Sequence, residues 1–369
     1  MLGCYPIQAT EENWVHDSLV SMITDVHRRI DDGEDIATTQ QFWESLAPAT
    51  LDPVNHGFLV RASGIRDHFF TYVRRISDLN IQDRHTILTT LESQNRIPEL
   101  LNGTQDIETI KEDFPNVNTA AYDLFVFSFK KLADFEVRSR QYQIIFNSLD
   151  IKICTFCGIE RVMDPTETAQ DQDHYLPKSI YPFAAVNMRN LVPMCRCCNR
   201  DYKSAIDVLR DVNGSRRMAF DPYDCRPPTI SLLRSIIDAE TSPPLPEWLI
   251  DFAPDSEQAE TWDAIFSIRT RFKRDILNQY YDTWLQSFRT RCAKDRKRGK
   301  IQANFSLEQI REVLAHYVED KADSPYIGMG GFLEPLVFEF LLNQFDDGYE
   351  RVVDLIRDSV LGSEMEEAA

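Results

Sequence analysis

Two Cys-x-x-Cys pairs, Cys154/Cys157 and Cys195/Cys198, lie 37 residues apart in a chain of 369. They restrict the fold more than any other feature, because a four-thiolate zinc site requires both segments to meet at one ion. Cys154 and Cys157 are expected on a tight turn, with Gly158 allowing the chain to reverse. Cys195 and Cys198 are expected at the start of a helix, where a three-residue step puts both sulfurs on one side. Cys197 then points away. Isolated buried thiols and a redox pair are the weaker readings of these residues. Cys4, Cys225 and Cys292 are scattered and read as ordinary thiols, reduced in a cytosolic chain.

Between the pairs runs "DQDHYLPKSIYP", residues 171–182, which sets Asp173 beside His174. An acid next to a histidine is a metal site, half of a catalytic pair, or an ordinary polar loop. After it come a loop through residue 189 and then "NLVP", an apolar strand opened by Asn190. The second cysteine pair and "NRDYKSAIDVLR" follow, a helix by the spacing of Tyr202, Ala205, Ile206 and Leu209. The expected order is strand, loop, strand, helix, with Asn199 on the first helical turn. "FDPYD", residues 220–224, is expected to close this region by packing Phe220 and Tyr223.

"CTFCG", "DQDHYLPKS", "NLVP" and "CRCCNRDYK" resemble the HNH endonucleases, whose ββα-metal core is clamped in many members by two such cysteine pairs. The resemblance covers about residues 150–225. It is strongest toward HNH nucleases of bacterial restriction and antiphage systems, Septu-type nuclease subunits among them. It implies His174 as the general base that activates water, and Asp173 and Asn199 as ligands of one catalytic Mg2+ or Mn2+ ion. It implies Asn190 as the residue holding the loop that orients His174, and Cys154, Cys157, Cys195 and Cys198 around a structural Zn2+. The chemistry is consistent: hydrolysis of a phosphodiester needs a proton acceptor near neutral pH and positive charge at the phosphate. Carboxylate and amide oxygens suit magnesium or manganese better than zinc. Lys178, Arg200 and Lys203 are close enough in sequence to touch flanking phosphates, and read equally well as solvated surface. Asp171 is left outside the metal's ligands. Many members carry histidine where this chain has Asn199, so weaker metal binding and dependence on an activator are expected.

The remainder of the chain reads as helix. "ENWVHDSLVSMITDVHRRI" places Trp14, Val15, Leu19, Met22, Ile23, Val26 and Ile30 at three- and four-residue steps. Residues 118–148 read as one long helix or two abutting ones, with aromatics directed to a core. Helical periodicity returns after Pro227–Pro228, interrupted by the connector "TSPPLPEWL". Ser306 and Gln309 form a capping box ahead of "IREVLAHYVED". "GMGG", residues 328–331, reads as a turn, and "GSEMEEAA" as a frayed tail. The architecture expected is mainly α with a small α+β insert: a helical region over 1–149, the ββα-metal core over 150–228 and a second helical region over 229–369.

The net charge of −19 argues against coating nucleic acid by bulk electrostatics. Residues 151–230 hold 11 basic and 10 acidic side chains, so the acidity lies elsewhere, while residues 269–300 reverse sign with 11 basic against 3 acidic. The expected activity is metal-dependent cleavage of double-stranded DNA, with a protein partner such as an ATPase or sensor subunit, or with further copies of the chain. The alternative is a catalytically silent zinc module inside a larger defence complex. No stretch approaches a membrane helix and the start has no secretory pattern, so a cytoplasmic location and no membrane partner are expected.

Overall fold

A computed structural model describes residues 2–167, 172–237, 245–323 and 330–362. Asp171, the "TSPP" of the connector, Gly328–Met329 and the tail after Gly362 lie outside them. The chain divides into two units, Met1–Phe156 with Val162–Pro227, and Cys157–Arg161 with Pro228–Ala369. It is mainly helical with small antiparallel sheets. Among the described residues, no helix is long and apolar enough to cross a membrane.

The first unit begins with eight helices: α1 Trp14–Asp31, α2 Gln40–Leu46, α3 Pro53–Arg61, α4 Ser63–Ser77, α5 Ile81–Asn95, α6 Ile97–Asn102, α7 Pro115–Asp134 and α8 Val137–Ser148. Their starts follow local chemistry. The Asp52 carboxylate accepts from the amides of Val54 (2.9 Å) and Asn55 (3.1 Å), with Pro53 in the first turn, and the Asn80 side chain accepts from Asp83 N at 3.0 Å. Val15, Leu19, Met22, Ile23 and Val26 are all buried, as the periodicity of α1 requires. Residues 118–148 resolve into two abutting helices, broken at Phe135–Glu136, where Glu136 takes a left-handed φ of 59°.

Two short strands follow, β1 Gln172–His174 and β2 Leu191–Pro193, paired antiparallel with Asp173 opposite Val192. The loop between them is not a surface excursion. Phe183, Ala185, Val186 and Met188 belong to the same apolar core as Trp43, Phe69, Tyr72 and Phe125, and the Phe183 ring stands edge-on to Phe125 at 5.6 Å. A wide-turned helix, Cys197–Lys203, comes next and stops at Ser204, whose φ is 44°. The helix expected through Leu209 is therefore shorter. Ala205, Ile206 and Leu209 have helical spacing, but a left-handed residue ends the hydrogen-bond ladder before them. Phe220 and Tyr223 pack inside as expected, and the Tyr223 hydroxyl hydrogen-bonds the Gln141 amide at 3.0 Å.

Cys4 and Cys225 are not free thiols. They form a disulfide, with Cα atoms 5.7 Å apart. Tyr5 N donates to Pro222 O at 2.8 Å and Leu2 N to Thr155 O at 2.7 Å, so backbone pairing lays the chain's start against residues 222–225.

The second unit opens with strands where helix was expected: β3 Thr229–Ser231 pairs with β6 Asp251–Ala253, and β4 Ile236–Ile237 with β5 Pro246–Glu247. Pro246 stands inside β5, and a proline at that place would break the hydrogen-bond ladder of a helix running through it. Helices α9 Glu257–Phe266, α10 Ile268–Arg271, α11 Asn278–Lys297, α12 Leu307–Asp323, α13 Glu334–Asp346 and α14 Glu350–Leu361 complete it. The capping box at α12 forms in both directions: Gln309 Oε1 accepts from Ser306 N at 2.9 Å, and Ser306 Oγ accepts from Gln309 N at 3.3 Å.

Burial holds His16 and His27 neutral, each pushed down to about 4, and His27 Nε2 pairs with the Tyr72 hydroxyl at 2.9 Å. Unfolded histidine titrates near 6.5, so below that pH the unfolded chain takes up protons that the folded chain refuses, and stability falls with pH. The unfolding free energy should therefore drop from pH 7 to pH 5 by roughly 2 kcal/mol for each such histidine. In His27→Gln, urea unfolding at the two pH values should show a smaller drop. An unchanged pH dependence would contradict the buried neutral state.

Candidate functional site

The Sγ atoms of Cys154, Cys157, Cys195 and Cys198 all lie within 4.8 Å of one another, and all four residues are buried. A zinc ion about 2.3 Å from four sulfurs sets tetrahedral edges of about 3.8 Å, so the set fits a zinc ion. Gly158 turns the chain after the first pair with a φ of 63°. Cys195 N donates to Cys154 Sγ and Cys198 N to Cys195 Sγ, each at 3.4 Å. Cys197 is half-buried and outside the cluster.

Strand β1 alternates. Gln172 and His174 are buried on one face and Asp173 is half-buried on the other. The Gln172 amide is held by α8, receiving from Arg138 Nε at 2.7 Å and donating to Gln141 Oε1 at 2.7 Å. The His174 ring meets the Phe129 ring of α7 at 4.4 Å, and its Nε2 hydrogen-bonds Ala185 O at 3.0 Å. A carbonyl only accepts, so Nε2 carries the proton and the lone pair lies on Nδ1. Burial pushes the imidazole down to about 3, and Lys178, Lys203 and Arg138 act in the same direction. It is neutral near pH 7.

Asn190 is fully buried and uses both ends of its amide. Oδ1 accepts from Leu176 N at 2.6 Å, while Nδ2 donates to Leu176 O and Ala184 O, each at 3.1 Å. The loop is thereby pinned one residue before Ala185, the carbonyl that receives His174.

On the other face, Asp173 Oδ2 pairs with Lys203 Nζ at 2.7 Å, and the same ammonium donates to His174 O at 2.9 Å. Lys203 is fully buried. The expectation that it reaches substrate phosphate gives way to an internal role, because its charge is already engaged by Asp173. Burial raises the Asp173 carboxyl against the pull of Lys203. Asn199 stands four residues before Lys203 on the same turn, and residues at that spacing share a face. Arg200 is exposed, and Lys178 is half-buried with its ammonium 5.6 Å from the Phe129 ring. Phe129 and Arg138 carry no signal in the sequence: they precede the motif by more than thirty residues, and α7 reads as core.

No family description matches the chain, and no solved structure matches it. Over 46 residues it is 41% identical to the Septu protein PtuB of Bacillus thuringiensis, a stretch that is 12% of this chain and 17% of that protein. The chain thus spans about a sixth of that relative.

Purified protein should carry one zinc per chain by elemental analysis, and Cys195→Ser should lose it together with thermal stability; full folding without metal would contradict the site. Lys203→Met leaves a buried carboxylate uncompensated and should cost about 3–5 kcal/mol in urea unfolding. Adding Asp173→Asn should recover part of that loss. A Lys203→Met protein as stable as the parent would mean that the pair is not buried in solution.

Proposed function

We propose that the zinc-framed segment is the catalytic core of an HNH-type, metal-dependent endonuclease acting on double-stranded DNA. The observation that carries this reading is the arrangement inside the cysteine frame. A strand bearing Asp173–His174 pairs with the strand opened by Asn190, and a short helix bearing Asn199 returns to Asp173 through Lys203.

In this reading His174 Nδ1 takes a proton from the attacking water, while the Nε2–H···O bond to Ala185 fixes the ring and its tautomer. Asn190 holds the loop that supplies that carbonyl. Asp173 and Asn199 would hold Mg2+ or Mn2+, and both offer the hard oxygens such ions take. The fit is supported by Asp173 already accepting a cation, the Lys203 ammonium. A bound divalent ion supplies positive charge for the phosphate and the leaving oxygen. Arg200 lies exposed on the same helix and is proposed to contact a flanking phosphate.

The likeness to a Septu protein supports a role in antiphage defence; the location proposed is the cytoplasm, and the partner proposed is an ATPase or sensor subunit, or further copies of the chain. A net charge of −19 fits delivery of DNA by such a partner. The ion pair favours a second reading: Lys203 leaves Asp173 neutralised, as a zinc-ordered binding module without catalysis would have it.

Plasmid incubated with the protein and magnesium or manganese should be nicked or linearised, and His174→Ala should lower the rate by at least about a hundredfold. Equal cleavage by both proteins would remove His174 from the mechanism. No cleavage by protein assembled with its partners would favour the binding module.

A further inference from the structure

The segment Leu2–Tyr5 is bonded to the backbone of both cysteine segments. Leu2 N donates to Thr155 O at 2.7 Å, between Cys154 and Cys157, and the Tyr5 hydroxyl donates to Pro193 O at 2.5 Å, just ahead of Cys195. Tyr5 is buried, with its ring centre 6.4 Å from that of Phe156, the other residue between the first two cysteines, and 5.9 Å from that of Tyr223. Between these anchors Cys4 is joined to Cys225, beside the bond of 2.8 Å from Tyr5 N to Pro222 O. Cys4 is exposed and Cys225 half-buried, so their bond is open to a thiolate from solvent, whereas the four cysteines of the cluster are buried. A cytosolic thiol pool keeps exposed cysteine pairs reduced, and those that oxidise there do so reversibly. A small thiol thus reaches the Cys4–Cys225 bond far more readily than the cluster, and the segment Leu2–Tyr5 couples the one to the other.

We propose that Leu2–Tyr5 is a redox-controlled strap on the zinc site: the Cys4–Cys225 bond holds it closed, and reduction by a dithiol frees it and lets zinc exchange faster. The inference rests on the four-thiolate zinc site and is independent of the endonuclease reading. In the exchange, a thiolate of the dithiol attacks Cys4 Sγ, the Cys4–Cys225 bond breaks and Cys225 leaves as thiolate. The second sulfur of the dithiol then attacks the first, closing a cyclic disulfide and releasing the Cys4 thiolate. The dithiol is oxidised by two electrons, the cysteine pair is reduced by two, and the two protons of the dithiol pass to Cys4 and Cys225. Without the covalent tie, the segment is held by the hydrogen bonds above and the packing of Tyr5, contacts that open locally without unfolding the core. Tyr5 transmits the change, because its hydroxyl holds β2 just ahead of Cys195.

The test is the rate at which the zinc-loaded full chain gives up zinc to pyridylazoresorcinol, read by absorbance at neutral pH. The oxidised parent is compared with the parent reduced by dithiothreitol and desalted without oxygen, and with Cys4→Ser/Cys225→Ser. Mass after iodoacetamide labelling establishes the state of the bond in each. The reduced parent and the double variant should release zinc at least about tenfold faster than the oxidised parent, the size of change expected when one or two hydrogen bonds are loosened. Dithiothreitol treatment should leave the rate of the double variant unchanged. Tyr5→Phe with the Cys4–Cys225 bond intact should release zinc roughly threefold faster than the oxidised parent. Unfolding of the reduced parent, followed by tryptophan fluorescence, should be slower than its zinc release, which separates opening of the strap from loss of the fold. Equal release rates in all forms overturn the strap, as do zinc release that keeps pace with unfolding and a bond that dithiothreitol leaves intact in the folded chain. A parent that binds no zinc removes the zinc site and the strap together, and leaves the nuclease reading to its plasmid assay.

Discussion

Among the described residues between Cys154 and Cys198 the backbone has two strands of three residues each, and a ladder that short has no stability of its own. What keeps β1 against β2 is the closure around them. Four sulfurs draw the two ends of the segment together, and the Asn190 amide ties the loop that joins the strands. The loop is then driven into the helical core by Phe183, Val186 and Met188. His174 thus has its orientation set through a carbonyl, a buried amide and an apolar anchor.

The electrostatics of the segment follow from its burial. Asp173 and Lys203 neutralise each other on one face of β1, while on the other face His174 stays uncharged among cations. A pair of opposite charges in low dielectric is more important for where it holds its atoms than for net stability. Here Lys203 also binds the His174 carbonyl, so one ammonium fixes the carboxylate and the backbone of the next residue together. Lysine is unusual in being fully buried at all, which is why a surface reading of Lys203 from the sequence was natural and incomplete.

Much of the local design is legible in the residues. The turn at Gly158, the face of α1 and the reciprocal cap at Ser306 and Gln309 each depend on chemistry within a few positions, and the cysteine convergence on two spaced pairs that share one chemistry. What escapes such reading depends on distant partners or on a single backbone angle. Ser204 ends a helix whose apolar spacing continues, and Phe129 and Arg138 reach the site only through the packing of α7 and α8. The pairing of Cys4 with Cys225 needs the chain's start to lie along residues 222–225, and no spacing rule encodes that. The strands between residues 229 and 253 depend on partners well along the chain, Thr229 opposite Ala253 and Ile236 opposite Glu247, which local spacing does not reveal.

The bond between Cys4 and Cys225 joins positions 221 apart and makes a covalent ring of nearly everything described around the cysteine cluster. A protease that clips this ring once produces no separate fragments. The two halves migrate as one species on a gel until a reductant opens the tie, so an intact-looking band from an oxidising preparation is no proof of an uncut backbone.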